Sequence, residues 1–242
     1  MQSQSGKKTA PKLACLRQAA ARYSPATDVL ARYRRLREIS GRHQQEAVNL
    51  VSQDAVWSQA RRLGLADGRT LFDDVVEFKY VLDLAIHTAR PGRTSAIDRY
   101  ARAARFAPES DEARMLEAMR NSQFTIFSVE RRHETAGLMV TDLVRGKDIW
   151  LVDEGMESTF SDGAIFATRI YTPDFFSMTA GAGVPVDAEL LEDLLDEMSP
   201  LAHKGIEAAV DDRRFAEAVF RIAIESGLTE QIGFQDPLRE AG

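Results

Sequence analysis

Between residues 122 and 185 the apolar side chains of this chain recur every second position; on either side they recur at helical spacing. Strand side chains alternate faces, whereas helical ones repeat every 3.6 residues. The change of period therefore calls for an α+β fold, mainly a helical bundle with one small sheet inserted. Within the block, Phe124, Ile126 and Ser128 alternate with Thr125, Phe127 and Val129. Strands are expected near 124–132, 138–145, 148–154, 164–171 and 174–180. Turn-forming residues separate them at Gly137, Arg145-Gly-Lys147, Ser161-Asp-Gly163 and Pro173-Asp174. Five short strands in about sixty residues imply a small antiparallel barrel or a curled sheet, since closing or curling shields the edges.

Helical spacing governs the rest. Leu30, Tyr33, Leu36 and Ile39 form a stripe after a cap at Thr27 or Asp28, with a kink at Ser40-Gly41 and an end near Gly64. The segment LFDDVVEFKYVLDLAIH is apolar on nearly all sides, which makes it the buried central helix. Shorter helices are expected from Thr94 to about Phe106 and from Pro108 to about Arg120. Beyond the strands, Asp187 caps a helix striped by Leu190, Leu191, Leu194, Leu195 and Met198, and a last helix runs from Ile206 to about Ser226. The expected organisation is a flexible basic arm at 1–27, a bundle at 28–121, the β block at 122–185 and an acidic helical pair at 186–242.

Charge is unevenly spread. Residues 1–37 hold nine basic side chains and one acid, while residues 186–242 hold fourteen acids and five bases. Such asymmetry points to an anionic partner for the arm or to attraction between the two ends. Nucleic acid bound through residues 1–37, by Lys7, Lys8, Lys12, Arg17, Arg32, Arg34, Arg35 and Arg37, is one reading. Against it, the whole chain is acidic, and nucleic-acid domains are usually basic throughout.

Several stretches resemble the helical-plus-β region of uncharacterised bacterial proteins that often carry a C-terminal SEC-C zinc motif. The carrying pieces are Phe72-Asp-Asp74, Tyr80-Val-Leu-Asp83, Gly92-Arg-Thr94, Asp98-Arg-Tyr100, Ser122-Gln-Phe-Thr-Ile-Phe-Ser-Val129, Gly137-Leu-Met-Val-Thr-Asp-Leu143 and Asp162-Gly-Ala-Ile-Phe-Ala-Thr-Arg169. The Cys/His tail of those proteins is absent from this sequence, so the resemblance implies a fold region and no zinc role.

Chemistry is thinly represented. The single cysteine, Cys15, supplies neither an internal disulfide nor a cysteine zinc site. Asp83 and His87 lie four apart on the central helix and share a face, and with His43 they form a weak candidate metal set. The spacing Glu130-Arg-Arg-His133 falls at a strand end, where it does not put both side chains on one face. No phosphate-binding loop and no nucleophile elbow is present. No cofactor is expected, and an enzyme is the less favoured class. Many aromatics crowd the β block, and Trp150 would be a partner site if its face is uncovered. No run approaches the roughly 18–20 apolar residues of a membrane-spanning helix. The reading is a soluble cytoplasmic accessory protein that binds a protein partner. A nucleic-acid-associated factor is the alternative, and a metal-dependent hydrolase a weaker one.

Overall fold

A computed structural model describes residues 25–67, 70–71, 75–89, 92–202 and 209–231. The chain opens with α1 (Pro25–Asn49), α2 (Gln53–Arg62) and a two-residue hairpin of β1 (Ala66–Asp67) and β2 (Thr70–Leu71). Three helices follow: α3 (Val75–His87), α4 (Ala96–Ala103) and α5 (Asp111–Arg120). The β block contains β3 (Gln123–Arg132), β4 (Leu138–Asp142), β5 (Lys147–Leu151), α6 (Glu154–Thr159), β6 (Ile165–Tyr171) and β7 (Met178–Pro185). Helices α7 (Ala188–Ala202) and α8 (Arg213–Glu225) complete the order, before a 3-10 turn at Leu228–Gln231. The expected arm up to residue 24 and the start of the last helix at Ile206 lie outside the described residues.

Local chemistry explains where elements begin. Pro25 opens α1, a position where its missing N–H costs no hydrogen bond. Asp28, expected as a cap, instead lies in the first turn, where its charge suits the helix dipole. Ser52, Ser95 and Ser110 cap α2, α4 and α5, each hydroxyl accepting a backbone N–H three residues on. Helix α1 runs unbroken through Ser40-Gly41, where a kink is expected from the sequence; the Ser40 hydroxyl donates back to the Arg37 carbonyl without disturbing the helix.

All five longer strands pair antiparallel in the order β5-β4-β3-β6-β7. The sheet curls but does not close into a barrel. Its two edges meet at one point, where Val152 N–H donates to the Ser177 carbonyl and Ser177 N–H to the Trp150 carbonyl, both at 2.8 Å. Asp153 then caps α6, which turns the chain away before a ladder can extend. Helix α6 is not expected from the sequence, and β5 ends at Leu151 to make room for it. The final strand begins at Met178 and not near 174, because Asp174 is held in the preceding loop by Arg32 at 2.9 Å.

The sheet is apolar on both faces and both are covered. Phe124, Ile126, Ala167 and Val184 pack with Tyr80 and Leu84 of α3 and with Phe215 and Phe220 of α8. On the opposite face Phe127, Val129, Leu138, Val140, Leu151 and Phe166 surround Met156 of α6. A further cluster joins α1, α4 and α5 to Tyr171, Phe176 and Met178. No helix among the described residues is long and apolar enough to cross a membrane.

Candidate functional site

The β6–β7 ladder breaks its register. Thr168 faces Gly183, but two residues later Ile170 faces Thr179, so β7 carries extra residues around Ala180-Gly181-Ala182. Gly181 takes φ +94° at the centre of this bulge, a backbone conformation that side-chain-bearing residues avoid. A bulged strand loses ladder partners, and buried carbonyls without partners are costly. Here side chains replace the ladder. Arg37 Nη1 donates to the Thr179 carbonyl at 2.6 Å and Gln44 Nε2 to the Ala180 carbonyl at 3.0 Å. The Thr168 hydroxyl donates to the Ala182 carbonyl, and the Tyr80 hydroxyl to the Gly183 carbonyl at 3.3 Å.

Arg37 is the hub of this arrangement. It bonds the Tyr33 hydroxyl through Nε at 3.2 Å and Nη2 at 3.1 Å, and its Nη2 lies 2.6 Å from Asp153 Oδ2. Burial opposes its charge, but the Asp153 carboxylate together with Tyr33 and Tyr171 outweighs that and holds the guanidinium above its ordinary pKa. Asp153 serves twice, since its Oδ1 accepts the Gly155 and Met156 N–H groups that begin α6. Tyr33, Arg37 and Gln44 lie four and then seven residues apart on α1, so all three reach the sheet from one helix face.

A second polar chain runs beside the first. Gln44 Nε2 also donates to the Tyr171 hydroxyl at 3.2 Å, and Tyr171 lies 3.2 Å from His87 Nε2. On the other side of the ring, His87 Nδ1 lies 3.4 Å from Ser122 Oγ. Burial, then the neighbouring Arg169 charge, holds His87 well below the ordinary imidazole value. Burial and the Asp83 charge push Tyr171 up. Asp83 takes Arg169 with both oxygens, at 3.0 and 3.1 Å from Nε.

The three candidate metal ligands are not brought together. His43 Nε2 lies 2.9 Å from the Glu112 carbonyl, so it donates there, and Nδ1 accepts from the Tyr100 hydroxyl at 3.1 Å. The lone pairs of His43, Asp83 and His87 are each committed to a different protein donor. Among the described residues no group of three His, Cys, Asp or Glu side chains is placed to hold a metal ion.

The arginine run of α1 has partners within the chain. Arg32 bridges Asp111 at 2.6 Å and Asp174 at 2.9 Å, Arg34 pairs with Glu154 at 2.6 Å, and Arg35 with Asp111 at 2.7 Å. These arginines pair with acids of the middle of the chain, and not with the acidic C-terminal helices to which the charge asymmetry pointed. Lys7, Lys8, Lys12 and Arg17 lie outside the described residues.

Trp150 is half-buried. Its Nε1 donates to the Ala136 carbonyl at 2.7 Å, and its ring stacks on His133 with centroids 4.0 Å apart. Phe175 lies 5.5 Å from it and remains 63% exposed. Cavities flank the bulge: one of about 690 Å3 between α1, α6 and β6–β7, and one of about 440 Å3 between α1, α3 and β7. Asp153, Thr179 and Gln44 escaped the reading of the sequence because each looks like ordinary capping, strand or helix-surface chemistry, and Tyr33 reads only as part of an apolar stripe; the shared helix face of Tyr33, Arg37 and Gln44 is the one signal for the α1 residues.

Comparison with known proteins adds one result. No curated protein and no solved structure matches the chain. A family described as being of unknown function, DUF7986, matches residues 27–232. At that level the resemblance to uncharacterised proteins holds, while its SEC-C and bacterial part does not rest on this match. The match takes in α1, the whole sheet and α8, and the chain accordingly belongs to the DUF7986 family.

Proposed function

We propose that this chain is a soluble, cytoplasmic, non-enzymatic accessory protein that binds a protein partner through the Trp150–Phe175 surface. The observation that carries this reading is Phe175, a large apolar side chain 63% exposed yet held in place. Asp174, beside it, is pinned by Arg32, and its other oxygen accepts the Phe175 N–H at 3.0 Å. The ring leans on Trp150 and Phe176. An exposed aromatic with its loop already ordered loses little entropy on binding, which is the property of an interface anchor. Arg131, Met139 and Trp150 stand side by side across the register of β3, β4 and β5. The matching partner presents an apolar side chain flanked by an acid.

The test places a photo-crosslinking phenylalanine analogue at position 175 and, for comparison, at the equally exposed Leu195. A discrete crosslinked protein at 175 and not at 195, whose purified form binds Phe175→Ala at least tenfold more weakly, supports the reading. Equal crosslinking at both positions, or unchanged binding by Phe175→Ala, rejects it. The nucleic-acid alternative now depends on Lys7, Lys8, Lys12 and Arg17, since Arg32, Arg34, Arg35 and Arg37 are engaged by acids of the same chain.

A further inference from the structure

The larger cavity is built differently at its two ends. Met156, Phe160 and Phe166 give it an apolar end, and Tyr33, Arg37 and Thr179 give it a polar one. Its volume of about 690 Å3 falls within the roughly 300–1,000 Å3 of sites that take small molecules. Among the described residues nothing fills it at the bulge: a Cβ added to Gly181 would meet no atom of theirs within 4 Å. The bulge and its small residues keep α1 and α6 apart there, and the side chains that satisfy the bulged carbonyls fix the walls.

Hydrogen bonding and charge at the polar end narrow the ligand class. The Tyr33 hydroxyl accepts two N–H groups of Arg37 and faces the Glu154 backbone as well, but no acceptor for its own proton is found among the described residues. Tyr33 is 5% exposed, so that proton is available only to something inside the cavity. The Arg37 charge is matched by Asp153, so the polar end carries no net charge. An anion there would meet Asp153 and a cation would meet Arg37, each at a desolvation cost. An uncharged oxygen acceptor avoids both.

We propose that the cavity between α6 and the bulge of β7 binds an uncharged, mostly apolar small molecule that presents one carbonyl or ether oxygen to the Tyr33 hydroxyl. The ring or chain of the ligand lies along Phe160 and Phe166, and its oxygen takes the proton of the Tyr33 hydroxyl. This site is separate from the Trp150–Phe175 surface and does not depend on the function proposed for it.

The experiment uses the full chain and the fluorescent ketone prodan, which is uncharged, apolar and carries one carbonyl acceptor. The expected result is saturable binding of one prodan per chain with blue-shifted emission. Ser158→Trp, which places a large ring at the exposed mouth of the cavity, is expected to weaken binding more than tenfold. Tyr33→Phe removes the donor, together with the oxygen that accepts from Arg37, and is expected to weaken it about fivefold to twentyfold. Phe175→Ala is expected to leave binding unchanged. Each variant is checked for an unaltered circular dichroism spectrum and cooperative urea unfolding. A Ser158→Trp protein that fails this check is replaced by Thr159→Trp, which lines the same cavity. The proposal is overturned by absence of saturable binding, by binding indifferent to the folded Trp variant and to Tyr33→Phe, or by binding lost in Phe175→Ala.

Discussion

Arg37 Nη2 meets Asp153 Oδ2 at 2.6 Å across 116 positions of sequence, and this contact ties the first helix to the rim of the sheet. Both partners do further work, Arg37 on the bulged carbonyl of Thr179 and Asp153 at the start of α6. Removing Asp153 therefore strands a guanidinium and uncaps a helix together. Asp153→Ala should cost about 3–4 kcal/mol, combining a partly exposed ion pair with a lost cap. Arg37→Ala should cost about 2–3 kcal/mol, less than a fully buried pair because 30% of its side chain reaches solvent. Urea unfolding of both single variants and the double variant checks this. Additive effects would show that the two residues are not coupled.

Asp83 and Arg169 form a more deeply buried pair, their side chains 3% and 9% exposed. Breaking it leaves a charge in the core between α3 and β6. Asp83→Ala alone should lower stability by about 3–5 kcal/mol, while Asp83→Leu combined with Arg169→Met should recover most of that loss. The comparison of urea midpoints separates a stabilising pair from one whose members merely need each other. A double variant as unstable as Asp83→Ala would contradict the prediction.

Much of this arrangement could be anticipated, and the exceptions share a cause. The change of period at residue 122 locates the sheet, and Asp187 caps α7 as expected, accepting the Leu190 N–H at 2.9 Å. Helix α6 stayed hidden because six residues are too few to show a helical stripe, and its only mark is Asp153. Asp83 and His87 do share a face of α3, but spacing along a helix says nothing of what lies opposite. What lies opposite is Arg169 for one and Tyr171 for the other, each brought there by β6. Likewise Arg32, Arg34, Arg35 and Arg37 look like a solvated or phosphate-binding run until tertiary structure supplies Asp111, Asp153, Glu154 and Asp174. Period reads one element at a time, whereas an ion pair belongs to two.

Histidine protonation should set the stability of the protein between pH 7 and pH 5. Burial holds both His87 and His43 below the ordinary imidazole value of 6.5. As pH falls through that value the unfolded chain takes up protons before the folded one does. Stability present above about pH 7 is therefore lost as pH falls toward the folded-state values. Asp98 is held low by the Ser95 hydroxyl and then Arg120, and Asp111 and Glu154 by their arginine partners, so their contribution fades only at lower pH, as pH falls toward their depressed values. His87→Gln keeps a polar side chain but does not titrate. Its urea midpoint should change less between pH 7 and pH 5 than that of the parent chain. An identical slope in both proteins would assign the dependence elsewhere.

Two glycines separate backbone strain from steric conflict. Gly181 sits at φ +94° with open space beside it, so Gly181→Ala adds conformational strain alone, about 1–2 kcal/mol. Gly137 sits at φ +77°, and a Cβ there would lie 2.9 Å from Val152 Cα and closer still to the Leu151 carbonyl oxygen. Those atoms are backbone, held where β5 gives way to the Asp153 cap and where Val152 bonds Ser177. They do not swing aside as a flexible side chain would. Gly137→Ala should therefore add overpacking to strain and cost more than about 3 kcal/mol. Because the conflict falls on the seam that joins β5 to the approach of β7, hydrogen exchange at Val152 and Ser177 should quicken in this variant and stay unchanged in Gly181→Ala. Equal losses of stability in the two variants would mean that the seam yields, and that the curl of the sheet does not depend on the close approach at Gly137.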